Sequence, residues 1–560
     1  MSIFSIGVSG LNAAQSALNT TSNNISNVYT PGYNRELTIL EEGRGDGGVR
    51  VNDIQRQFNQ YVASQLNAAT SSSSALEAYQ GQVSQIDNLL ADREAGLAPL
   101  MQNFFSSLQD LAGAPSDPAA RQGVLGTTDT LTAQFRAFDG YLQDMQSGIN
   151  GQIRDEVTQI NNTTEQMATL NREISLARAR TGEAPNGLLN QRDQLVAELS
   201  ERLDVRLNIQ DGKTYNISLP NGQPLVAGTK HYRLEAMDAP NDPQRTVLGI
   251  RDSGDTSVAL PESTVKGGTL GGLMDFRAET LDKTQNQIGQ LAVSLAVGFN
   301  AQHAKGMDLD GDPGGDFFSL GEPRAYANGR NNGTAEIASV SFDLASVDTE
   351  TLSLPNLRAT DYTVRVTDEA VPEFQVILKD NGQALDAEEI SFDADQNELR
   401  FGGLVMSFDD IDNLRDNDRF EIQPVRRAAE NIESNISELD KIAAAQPDVN
   451  GDFTGTGDNR NALALQGLQD QMLVGGSASL NQAYAGMVSD VGNRTNIVQV
   501  NLEARQGLTD QLRAVQQSES GVNLDEEAAN LLRYQQFYAA NARVIDTAST
   551  IFDTILGLRS

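Results

Sequence analysis

Imidazole chemistry in this chain is confined to His231 and His303. A nucleophilic centre would need a serine activated by one of them and a third group to orient the ring. Neither histidine is accompanied by a G-x-S-x-G elbow, so both read as structural. The run DLDGDPGGD spaces carboxylates at Asp308, Asp310 and Asp312 as the opening of a calcium loop does. Pro313 stands where that loop needs its turn glycine, and Ser319 where it needs a bidentate glutamate. A solvated turn leading into Phe317 and Phe318 is therefore expected, with no metal. The absence of cysteine removes thiol catalysis, disulfides and thiolate metal sites. No Walker glycine loop, dinucleotide fingerprint or H-E-x-x-H run occurs, and in a chain with 76 acidic side chains no carboxylate pair singles itself out for glycoside hydrolysis. The expectation is a protein with no catalytic residue, no cofactor and no metal.

Composition narrows the partners. Against those 76 acids stand 41 basic side chains, a formal net charge of -35 over 560 residues, which argues against nucleic acid and anionic membrane surfaces. No stretch approaches the length of an apolar membrane span. The N-terminus shows neither the basic region nor the continuous apolar region of a secretory signal, so if the protein leaves the cell it is expected to do so by a route without a Sec signal peptide.

With no chemistry to position, the informative elements are the two ends. No charged residue or histidine precedes Arg35. Phe4, Val8, Leu11, Leu18 and Ile25 follow a 4,3 spacing whose remaining seam positions are Gln15 and Ser22. At the other end Leu524, Leu531, Tyr538, Ile545, Phe552 and Leu556 keep the same alternation, with Ala528, Ala542, Gln535 and Ser549 between them. Both ends read as coiled-coil helices, and these eleven large residues are the candidate assembly seam. Burying five apolar side chains cannot offset the conformational entropy of the whole N-terminal segment. That segment needs the C-terminal helix and neighbouring subunits as partners.

Between the ends the period alternates. Thr30, Pro31 and Gly32 break the first helix, and residues 36–54 suit a small hairpin. Helical stripes run from about Phe58 to Leu203, broken at GAPSDP and TGEAPNG. Period-2 runs follow from Val205 to Leu260, helix from Gly271 to about Ala304, and a larger β region from about Ala335 to Ile422 with a turn at Asn381–Gly382. Helix is expected again from about Arg426. The fold class is α+β multidomain, in a nested, discontinuous arrangement: a terminal coiled-coil module (1–57 and 520–560), a long-helix bundle (58–204, 269–330 and 426–519), a small β insertion (205–268) and an outer β domain (331–425).

NNISNVYTPGYNRE near the N-terminus, and SGVNLDEEAANLLRYQQFYAANARVIDTASTIFDTIL from Ser520 to Leu556, resemble the two signatures of the bacterial flagellar rod, hook and hook-associated axial proteins. The wording GVNLDEEAANLLRYQQ resembles the hook-associated branch. That resemblance implies a structural, non-enzymatic protein at the hook–filament junction, outside the cell and exported by the flagellar type III apparatus. It implies a ring of identical subunits, contacts to hook protein and hook-associated protein 3, and an export chaperone on the C-terminal region. A hook protein or hook-associated protein 3 subunit is the nearest alternative. A secreted adhesin or hydrolase built on the β domains is the alternative from another class.

Overall fold

The computed structural model describes residues 3–43, 47–92, 96–182, 185–210, 214–251, 257–368 and 372–558. Its helices are α1 (Ile3–Ser26), α2 (Gln60–Leu90), α3 (Leu97–Gly113), α4 (Pro118–Thr181), α5 (Asn186–Arg202), α6 (Gly268–Phe276), α7 (Asp282–His303), α8 (Arg460–Gly467), α9 (Leu480–Ser520) and α10 (Leu524–Gly557). Local chemistry sets their ends. Asp117 caps α4 by accepting from Ala119 N–H, with Pro118 at the first helical position and Gly182 closing the helix at φ 84°. Ser479 and Gln482 form a reciprocal capping box at α9. Asn523 caps α10, whose first turn carries Asp525, Glu526 and Glu527 against the helix dipole.

Nesting is visible in the helix pairs: α1 packs on α10 and α2 on α9. The 64 residues of α4 reach about 96 Å at the α-helical rise. This helix supplies much of the bundle core, where Phe135, Phe138, Ile149 and Ile153 meet Phe104, Phe105, Leu270 and Phe299. One π turn (Arg277–Leu281) joins α6 to α7 without a loop.

A hairpin of β1 (Glu36–Glu42) and β2 (Val49–Arg56) lies against α1, with a bulge at Ile39/Leu40. The insertion after α5 holds β3 (Arg206–Gln210), β4 (Thr214–Ser218), β5 (Pro224–Ala227) and β6 (Lys230–His231) in one antiparallel sheet, then β7 (Leu234–Ala239), β8 (Asp242–Arg251) and β9 (Ser257–Ala259) in another. After α7 come β10 (Phe318–Ser319), β11 (Arg324–Ala327), β12 (Ile337–Phe342), β13 (Tyr362–Asp368), β14 (Glu373–Leu378), β15 (Ile390–Asp393), β16 (Glu398–Phe401), β17 (Leu404–Phe408), β18 (Arg419–Gln423) and β19 (Glu433–Ser434). Two of the resulting sheets, β11-β18-β13-β14 and β12-β17-β16-β15, share a core of their own built on Tyr362, Val364, Phe401, Met406 and Phe420. Alternate residues of β13 are buried, as its period-2 pattern predicts.

The structure corrects one stretch of the sequence reading. No helix resumes at Arg426. Residues 426–459 run as 3-10 turns and the short β19, and α8 begins only at Arg460. Ile432 and Ile442 are still buried in the bundle core, so the irregular backbone around them needs donors. Arginines supply them: Arg136 donates to Ile432 C=O at 2.7 Å, and Arg121 to Leu439 C=O at 2.7 Å and Ile442 C=O at 3.0 Å.

Candidate assembly interface

The two ends of the chain pair as expected, but not seam to seam. Their contact runs antiparallel, with Gly7 beside Ile545, Gly10 beside Asn541 and Asn24 beside Glu527. The buried face of α1 is Gly7, Gly10, Ala13, Ala14, Ala17, Thr20, Thr21 and Asn24. A Cβ on Gly7 would lie 2.8 Å from Ile545 Cγ1, and one on Gly10 would lie 2.2 Å from Asn541 Oδ1. The helices therefore approach through missing side chains. This stripe sits one residue, about 100° of helix, away from the 4,3 seam. Phe4 and Val8 consequently face solvent, and Leu11, Leu18 and Ile25 are half-buried. On α10, Leu531 and Ile545 are half-buried on the side facing α1, whereas Leu524, Tyr538, Phe552 and Leu556 are exposed. The signal for the true contact, a small residue every three or four positions, was present in the sequence.

A polar node locks the base of the pair, where the first signature ends and the second begins. Glu527, 1% exposed, accepts from Arg35 Nε at 2.8 Å and from Asn24 Nδ2 at 3.1 Å. Asn24 also closes a two-way bridge with the Glu36 backbone, donating to its C=O at 2.9 Å and accepting from its N–H at 3.0 Å. Tyr33 donates its hydroxyl to Asn24 Oδ1 at 2.8 Å. Burial, then Glu36 and Glu527, hold that hydroxyl above the usual phenol range, so it stays a donor. Arg35 reaches Glu526 at 2.7 Å, and its N–H donates to Ser520 C=O at 2.8 Å. The node is tied to the bundle through Asn34 to Asn190 at 2.8 Å and Arg56 to Asp193 at 2.5 Å.

Away from the node the paired helices leave large apolar side chains uncovered. Exposed large apolar residues include Ile3, Phe4, Ile6 and Val8 on α1 and Phe537, Ile551, Phe552, Ile555 and Leu556 on α10, with Phe552 at 62%. Within α10 only Glu527 is buried. Surface of this kind marks an interface.

The residues that could have done chemistry serve other purposes. His303 is buried beside Phe299 and Phe317, donating from Nδ1 to Gly315 C=O at 2.7 Å and accepting at Nε2 from Ala443 N–H at 2.8 Å. Both ring nitrogens are thus used in the neutral form, and burial pushes the imidazole below its ordinary pKa. His231 lies half-exposed in β6. Asp308, Asp310 and Asp312 do converge, and Lys441 Nζ sits among them at 2.9, 3.0 and 3.3 Å. The three carboxylates therefore already face a cation supplied by the chain.

Residues 4–34 match the family model "Flagella basal body rod protein", residues 516–558 match "Flagellar basal body rod FlgEFG protein C-terminal", and residues 83–318 match "Flagellar hook-associated protein FlgK helical domain". The chain is 41% identical over 572 residues to flagellar hook-associated protein 1 of Salmonella typhimurium LT2, with all of both chains covered. It is 40% identical over 568 residues to flagellar hook-associated protein 1 of Escherichia coli K12, again over the whole of both. Among solved structures, the flagellar hook junction protein FlgK from Burkholderia pseudomallei superposes with a TM-score of 0.73 at 28% identity, covering 81% of this chain and 99% of that one.

Proposed function

The chain belongs to the flagellar hook-associated protein 1 family, and from that premise we propose that it is the structural protein that joins hook to filament, assembling as a ring through its paired terminal helices. The observation that carries this reading is the uncovered apolar surface of α1 and α10, in the two segments that match the rod-protein models. An uncharged helix can enter a crowded tube wall without burying an unpaired charge, which would cost several kcal/mol. The outward residues Phe4, Val8, Leu524, Tyr538, Phe552 and Leu556 are assigned to contacts between subunits. The half-buried Leu11, Leu18, Ile25, Leu531 and Ile545 are assigned to the border between that surface and the α1–α10 contact.

Hook protein on one side and hook-associated protein 3 on the other are the proposed neighbours, and an export chaperone is the proposed partner of the C-terminal region before assembly. Export by the flagellar type III apparatus and an extracellular site follow from the same reading. The protein is proposed to be non-enzymatic: His303 and Asp308 are fully engaged within the fold, and the chain's relatives are flagellar structural proteins. Labelling the chain on isolated flagella tests the proposal. A thin band at the hook–filament boundary is expected; label spread along hook or filament, or none, would defeat it.

A further inference from the structure

The strands from β11 to β18 have a core separate from that of the bundle. Between the two lies a small apolar pad of Val293 and Val297 from α7 against Leu354, Leu357, Val425 and Ala428. At Gly289 of α7 a Cβ would fall 1.7 Å from Val425 C=O, so the helix and the segment that leaves β18 meet backbone to backbone. Beside this pad runs a row of six groups of alternating sign, four of them buried and two, Glu262 and Asp282, partly buried.

Arg277 meets Glu262 at 3.1 Å, and Glu262 takes both Nε and Nη2 of Arg245, at 2.8 and 2.9 Å. Arg245 Nη1 reaches Asp282 at 2.6 Å, Asp282 meets Arg426 at 3.2 Å, and Arg426 closes the row on Asp361. Arg245 belongs to the insertion, Arg277 and Asp282 to the π turn and α7, and Arg426 and Asp361 flank the outer strands β18 and β13. Three parts of the chain are therefore joined by one ionic row. A cavity of about 970 Å³ opens at the same joint, lined by Arg245, Glu262, Asp282, Asp361 and Arg426. Arg426 Nε and Asp361 Oδ1 are buried without a hydrogen-bond partner among the described residues.

Apolar contact is non-directional and tolerates rotation, whereas a guanidinium fork between two carboxylates fixes an angle. We propose that this joint is a pivot and a latch: the outer β unit turns on the Val293/Val297 pad, and Arg426 is the positioning residue that holds its direction against the bundle. The void beside the latch gives the unit room to move once Arg426 lets go. The row lies outside both apolar cores. Without it the outer unit keeps single ties, Gln423 to Asp242 at 2.9 Å, Asn241 to Glu421 at 3.1 Å, Gly329 N–H to Pro240 C=O at 2.8 Å and Arg427 to Asp139 at 3.1 Å, which hold it near the bundle but fix its direction less than the fork does.

The chain has no cysteine, so Ser106→Cys on α3 and Ser391→Cys on β15, both exposed, carry spin labels alone. Electron–electron double resonance on the full-length chain should give one narrow distance. Arg426→Gln leaves Asp361 and Asp282 without that partner and so should lower the melting temperature, but the chain is expected to fold cooperatively at the temperature of the measurement with the single distance replaced by a broad distribution. Arg426→Lys keeps the charge but replaces the planar fork, which meets Asp282 with Nη1 and Asp361 with Nη2, by a single ammonium that fixes no angle, so it should broaden the distance too. Val297→Ala should lower the melting temperature and leave the distance narrow. A distance that stays narrow in folded Arg426→Gln and Arg426→Lys overturns the proposal. Loss of folding in both makes Arg426 a residue of the fold and overturns it equally.

Discussion

Replacing Glu527 by glutamine keeps the size of the side chain and removes the charge that Arg35 and Asn24 surround. Glu527 is almost wholly buried, and the Arg35 side chain is 14% exposed, so solvent does little to compensate. After the change the one carboxylate left beside Arg35 at this node is Glu526, whose side chain is 58% exposed, and the amide oxygen of the introduced glutamine accepts without a charge. Breaking a buried, hydrogen-bonded pair of this kind costs about 3 kcal/mol, or about a hundredfold in an opening equilibrium. The cost falls on the base of the α1–α10 pair, because the rest of the α1 face in that contact is glycine, alanine and threonine and buries little apolar area. Hydrogen exchange on the purified chain reads it directly. Peptides covering 20–36 and 523–534 should exchange about a hundredfold faster in Glu527→Gln, while those covering α3 and the middle of α4 should not change. In the parent chain, protection should fall from this base toward the tips at Ile3 and Gly557. If Glu527→Gln changes exchange at the base by less than about twofold, the polar node does not hold the ends together.

Three further outcomes are expected. Gly10→Val places a branched side chain where Asn541 lies, which should cost roughly 1–3 kcal/mol by overpacking and detach the tips of α1 and α10, seen as rapid proteolytic trimming of both ends with the bundle intact. Below about pH 6.5 the unfolded chain protonates His303 while the folded chain resists, so its contribution to stability is present above that pH and is lost as pH falls toward the lowered folded value. Asp139, raised to about 6 chiefly by burial, works in the opposite sense, gaining stability as pH falls through that value, so the test is the difference between parent and His303→Gln melting curves from pH 8 to 5; a parallel pair would contradict the assignment. Calorimetric titration with calcium should show no saturable site in the parent chain, because Lys441 occupies the space among Asp308, Asp310 and Asp312; a site lost on Asp310→Ala would contradict this.

Much of the architecture could be read from periodicity. The stripe Ile149, Ile153, Val157 and Ile160 lies wholly in the core of α4, and the breaks at GAPSDP and TGEAPNG fall where α3 gives way to α4 and α4 to α5. What escaped was whatever carries no hydrophobic signal. Gly7, Gly10 and Ala17 add little to an apolar pattern, yet they decide which face of α1 meets α10, because only small residues permit that approach. The polar node joins Asn24 and Arg35 to a glutamate some 500 positions away, which no local window reveals. Residues 426–459 carry helix-like spacing at Ile432, Ile436 and Leu439, but Arg121 and Arg136 satisfy the backbone there, removing the need for a helix.

The uncovered apolar faces of the terminal helices are proposed as the surface that assembles. The most direct test supplies purified chain to isolated hooks and images the tips. Parent protein should add a discrete ring at the hook end. Phe552→Asp and Leu556→Asp should add none while keeping the parent's bundle melting temperature, and Asp395→Lys on the outer β unit should assemble normally. Rings of normal occupancy from both terminal variants, or loss of assembly in Asp395→Lys alone, would contradict the account and place the assembling surface elsewhere.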